Sequence, residues 1–176
     1  MSDELKEAGL VLFRQGQRQE AIERFEEAAA SYAAAGDKVG EGEVLNNIGV
    51  VRRVEREWAQ AATAFSRAAA LFQEAGDRVR EGQVLGNLGD LHAYQGEGEE
   101  AGRYYSDAAA IMAETGDREK QAQLLRALSL LRLRQRRVVE AIMLMGQSLE
   151  VRPHLSLPQR LFRRLINFML SVMGRS

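Results

Sequence analysis

One internal repeat constrains this chain more than any other feature. Gly36-Asp37, Gly76-Asp77 and Gly116-Asp117 recur at a spacing of 40 residues. The segments before them match as well: residues 27–36 read EAAASYAAAG, 67–76 read RAAALFQEAG and 107–116 read DAAAIMAETG. So do the segments after the first two, EVLNNIG at 43–49 and QVLGNLG at 83–89. A unit this short cannot bury its own apolar face, so copies must stack. Glycine takes the left-handed conformation that ends a helix. Aspartate accepts backbone N–H bonds at the start of the next. Each Gly-Asp pair is therefore read as a helix–helix junction. A weaker break falls mid-repeat, at Gln15-Gly16, Arg56-Glu57, Gln95-Gly96 and Arg136-Arg137. Each unit is then two antiparallel helices.

Composition agrees. Only two prolines occur, Pro153 and Pro158, so residues 1–152 hold no strong helix breaker. Ala, Leu, Glu, Arg and Gln dominate, all good helix formers, and no run of alternating β-branched residues appears. The fold class is all-α. Small residues Gly9, Gly49, Gly89 and Ser129 are each followed 12 residues later by Ala21, Ala61, Ala101 and Ala141. Bulky Phe25, Phe65, Tyr105 and Met145 come next, then Ala28, Ala68, Ala108 and Ser148. Small residues let two helix axes approach, and the bulky one fills the space beside the crossing.

The order Leu45, Gly49, Ala61, Phe65, Ala68 resembles the tetratricopeptide signature. The 40-residue period, with Asn47-Ile48-Gly49 and Asn87-Leu88-Gly89, is similar to the repeats of kinesin light chains and of spindle-orientation adaptors. The resemblance covers roughly residues 2–152. It implies a right-handed superhelix of about four helix-pair repeats, at about 2–36, 37–76, 77–116 and 117–152. The last departs from the pattern at Ser129 and Met145.

The resemblance also implies a function: a non-enzymatic adaptor or scaffold that binds a partner peptide or helix in a concave groove. The first helix of each repeat lines that groove. The residues it places there are Lys6, Glu43, Asn46, Asn47, Arg53, Asn87, Asp90, Tyr94, Arg126 and Arg134. An asparagine amide both donates and accepts, so it can pair with a peptide backbone of any sequence. The competing role for such asparagines is to cap or bridge neighbouring helices. The Lys/Asn clamp of chaperone-binding relatives is poorly reproduced, since Leu10 and Gln83 stand at two of its positions.

Pro153 and Pro158 bracket a break, after which an amphipathic helix is expected over 153–176. Leu161, Phe162, Leu165, Ile166, Phe168, Met169, Val172 and Met173 form its apolar stripe. Arg160, Arg163, Arg164 and Asn167 lie mostly opposite. The first reading is a cap for the last repeat. The second is self-association, as a homodimer through this end, or contact with a membrane surface. Charge adds weight to the second: residues 1–120 carry a net −9 and residues 121–176 a net +8. The uncharged run at 165–174 is about half the ~20 residues a bilayer-spanning helix needs.

No catalytic constellation, phosphate loop or metal-ligand spacing is found. His92 and His154 are far apart, and there is no cysteine. No cofactor, metal or nucleic-acid partner is expected. The arginines at 132–137 lack interleaved aromatics. The missing cysteines and the polar, acidic start fit a cytoplasmic protein.

Overall fold

In the computed structural model of the chain, which describes residues 1–173, the described residues form nine α-helices and no strand. They are α1 (Ser2–Arg14), α2 (Arg18–Ala35), α3 (Lys38–Val54), α4 (Trp58–Ala75), α5 (Arg78–Gln95), α6 (Gly98–Glu114), α7 (Arg118–Arg134), α8 (Val138–Val151) and α9 (Leu157–Met173). The chain divides into two compact units, Met1–Leu91 and His92–Ser176.

Junction chemistry sets the helix ends. Gly36 and Gly76 close α2 and α4 in the left-handed conformation, with φ of 71° and 72°. Each leaves an aspartate to open the next helix. Asp37 accepts the Gly40 N–H at 2.9 Å, and Asp77 accepts the Arg80 N–H at 3.0 Å. Asp117 accepts the Lys120 N–H in the same way. At the mid-repeat breaks, Gly16 and Gly96 have positive φ, and so do Arg56 and Arg136, both at 61°. Left-handed backbone costs a residue with a side chain about 1–2 kcal/mol. The greater chain entropy of glycine offsets part of that gain. Arg56→Gly is therefore expected to raise the unfolding free energy by about 0.5–1 kcal/mol, read from the urea midpoint. A loss of stability would show that the Arg56 side chain contributes more than its backbone costs.

In the N-terminal unit, glycines on one helix meet aromatic rings on the next. A Cβ at Gly9 would lie 2.6 Å from the Phe25 ring, and one at Gly49 would lie 2.6 Å from that of Phe65. At Gly42 it would lie 2.8 Å from Phe72. Gly42 and Gly49 thus meet Phe72 and Phe65 in falling order, and on α1 Ser2 meets Ser31 while Gly9 meets Phe25, so both helix pairs are antiparallel. Phe25, Phe65 and Phe72 are fully buried, as are Ile22, Val44 and Val51 in the same helix pairs.

In the C-terminal unit, Ala101, Tyr105, Leu128 and Leu131 form a core cluster, with Leu124 and Leu144 packed on it. Helices α7 and α8 are clasped by two buried hydroxyls. Ser129 donates to the Ala141 carbonyl and Ser148 to the Ala122 carbonyl, both at 2.7 Å. Ser129 and Ser148 are where the fourth repeat departs from Gly and Ala. Hydroxyl-to-carbonyl bonds there accompany the close approach that small residues alone allow elsewhere. Helix α9 packs on α8 and buries Ile166.

Candidate functional site

Helices α1, α3 and α5 begin at equivalent points of successive repeats, so their like faces form one wall in the N-terminal unit. Polar side chains bridge this wall from helix to helix. Lys6 on α1 donates to the Glu43 carboxylate on α3 at 3.0 Å. Arg80 on α5 donates to the other Glu43 oxygen at 2.8 Å. Each of these partners is 37 residues from the last, and the Arg53–Asp90 pair at 3.2 Å has the same separation. The Asn87 amide donates to the Asn46 carbonyl oxygen at 2.8 Å.

The electrostatics follow from this arrangement. Burial opposes the charge on Lys6, but the Glu43 hydrogen bond and charge outweigh it and raise its pKa. Arg80 is raised chiefly by its bond to Asp77, against a smaller burial effect, with Glu43 adding to it. Half-exposed pairs of this kind are each worth at most about 1 kcal/mol. Their larger effect is on register: sliding α1 against α3 by one turn would separate Lys6 from Glu43.

Between these rungs lies a cleft of 360 Å³, lined among others by Lys6, Leu10, Glu43, Asn46, Asn47 and Arg80. Asn47 is half-buried, and among the described residues its side-chain amide makes no hydrogen bond to the protein. It is thus a donor and acceptor at the cleft with both functions available. Asn87, its repeat equivalent, is engaged with Asn46.

The candidate residues read from the sequence therefore sort by place. Lys6, Asn46 and Asn47 line the cleft. Arg53, Asn87 and Asp90 form rungs on the same helices. Tyr94, Arg126 and Arg134 belong to the C-terminal unit, where all three are exposed. On α9, Leu161, Phe162, Leu165, Phe168 and Met169 are exposed, while the Met173 side chain lies outside the described residues. Glu43 was placed on the wall by family resemblance, but Arg80 was missed. The constant 37-residue step from Lys6 to Glu43 to Arg80, with alternating charge, is the signal that could have found it.

A second cleft, of 560 Å³, lies between α2, α3 and α4. It is lined among others by Ala30, Ala33, Leu45, Ile48 and Ala64, together with Glu26, Arg52 and Arg67. Small apolar linings offer contact area but few directional groups. Among the described residues, no group of three His, Cys, Asp or Glu side chains could hold a metal ion. Nor is any helix among them long and apolar enough to cross a membrane.

Comparison with known proteins bears on the fold. The sequence model of the tetratricopeptide repeat matches residues 5–74 and 80–154. No curated protein matches the chain. Among solved structures, BtubC (BKLC) from P. vanneervenii superposes with a TM-score of 0.77 at 19% identity, over 88% of this chain and 68% of that one. MamA gives 0.68 at 19% identity, over 85% and 77%. A putative kinesin light chain from Podosopora anserina, with nearly identical TPR-like repeats, gives 0.73 at 18% identity, over 93% and 82%. At these identities the likeness is one of fold.

Proposed function

The chain belongs to the tetratricopeptide repeat family, and from that premise we propose that it is a protein-interaction module holding an extended partner segment in the cleft of its N-terminal unit. Repeats of this family serve as binding surfaces, and the fold is characteristically non-enzymatic. One observation carries the choice of surface: the Asn47 amide stands at the cleft, and among the described residues neither its donor nor its acceptor has a protein partner. A peptide backbone presents the complementary pair of groups, whatever its side chains.

Charge refines the partner. Glu43 sits between Lys6 and Arg80, so the cleft is mixed in sign. It suits a segment carrying both an acid and a base. An incoming carboxylate competes with Glu43 for Lys6 and Arg80, and an incoming cation takes up the Glu43 that this releases. Binding is then an exchange of existing pairs, which favours specificity over raw affinity. A cytoplasmic setting belongs to this reading, since a cysteine-free chain gains nothing from an oxidising compartment.

The test is selection of a random-peptide phage library on the whole chain, followed by measurement of the enriched peptides on Asn47→Ala. Loss of a bidentate amide contact is expected to weaken binding by about tenfold, with helical content unchanged. Enriched peptides that bind Asn47→Ala as tightly as the parent chain would remove the cleft from consideration.

A further inference from the structure

Helix α9 carries an apolar face that the fold leaves open. Of its described apolar side chains only Ile166 is buried, at 3% exposure. At about 100° per residue, Leu157, Phe168, Leu161, Leu165, Met169 and Phe162 fall within one arc of about 140°. Ile166, which faces α8, lies beyond the edge of that arc. Arg164 borders the arc on the other side, with Arg160, Asn167 and Arg163 following round the helix. The last acidic residue of the chain is Glu150, so α9 has arginines and no carboxylate of its own.

We propose that α9 is a docking helix for an anionic lipid surface, with its open apolar face in the headgroup region and its arginines against lipid phosphates. Two observations choose this occupant over a second copy of the chain. The first is charge. A helix with several arginines and no acid repels its own copy in a symmetric pairing, and is drawn to an anionic membrane. The second is area. Seventeen residues at about 1.5 Å each make a stripe about 26 Å long, and a width of about 10 Å gives roughly 260 Å². That is about a third of the ~800 Å² per partner that a stable protein dimer buries. An interfacial helix needs no more than such a stripe together with its charges. Arg164, at the boundary of the apolar arc, can extend along the surface and keep its guanidinium among headgroups.

The experiment is co-sedimentation of the full chain with vesicles of phosphatidylcholine, with and without phosphatidylserine. Capture is expected only on the serine-containing vesicles, falling several-fold between about 0.1 and 0.5 M salt as screening shortens. Leu165→Asp with Phe168→Asp, both at exposed positions, is expected to abolish capture. Arg163→Gln with Arg164→Gln keeps the apolar face and is expected to weaken capture several-fold. Equal capture on neutral vesicles, or capture on neither, would overturn the proposal. So would a dimer in light scattering that the Asp pair dissolves, because a second copy would then own this face.

Discussion

Phe65→Ala is expected to lower the unfolding free energy by about 3–5 kcal/mol. The ring is fully buried between α3 and α4, and it lies where a side chain at Gly49 would otherwise go. Removing it forfeits the transfer free energy of the ring and leaves a void that two helix backbones cannot readily close. The measurement is a urea titration followed by circular dichroism, with the slope checked for constancy so that the midpoint reports stability. Phe168→Ala is the control. Phe168 is 66% exposed, and its loss should change stability by no more than about 0.5 kcal/mol. If the two truncations cost the same, the ring–glycine packing does not hold the repeat together.

The second large effect comes from the other side of the same contact. Gly49→Leu is expected to destabilise by about 3 kcal/mol, at the upper end of overpacking costs. A Cβ there would stand 2.6 Å from the Phe65 ring, and the ring is enclosed on its remaining sides. Leucine's better helix propensity returns only about 1 kcal/mol. The double variant decides the cause. With Phe65→Ala in place the new leucine has room, so the double variant should be more stable than the sum of the single effects by about 1–3 kcal/mol. Additivity to within about 0.5 kcal/mol would mean that Gly49 matters for some reason other than the ring beside it.

Much of this fold is legible in the sequence because its punctuation is local. Gly36-Asp37 and its copies combine a left-handed stop with an N-cap start, and both act within a few residues. The mid-repeat breaks are legible at Gly16 and Gly96 by residue type. At Arg56 and Arg136 only the repeat register shows them, since arginine carries no turn preference of its own. The wall is a harder case. Resemblance puts Asn46, Asn47 and Asn87 on the first helices, but which asparagine meets which depends on the axial offset between α3 and α5. That offset brings Asn87 to Asn46 at 2.8 Å, while the Asn47 amide lines the cleft with no protein partner among the described residues. Arg80 escaped notice because it lies in the first turn of α5, ahead of the family's usual groove positions. On α9 the stripe is plain from the spacing, whereas its burial is a matter of how α8 is placed: Ile166 is covered and Leu165 beside it is open.

The same ladder that bridges α1, α3 and α5 also lines the cleft, so under the proposed function stability and recognition would share residues on this wall. Lys6, Glu43 and Arg80 join three helices and line the opening. Asn47 lines it and, among the described residues, bridges to no other side chain, so its change would separate the proposed binding role from stability.

Binding at the cleft is tested most directly by a nitrogen-15 NMR titration of the full chain with a peptide selected on it. The Asn47 side-chain amide is expected to shift, together with the backbone amides of Glu43 and Asn46. Shifts confined to the cleft lined by Ala30, Ala33 and Ala64, with Asn47 unmoved, would place the partner elsewhere and contradict the proposed function.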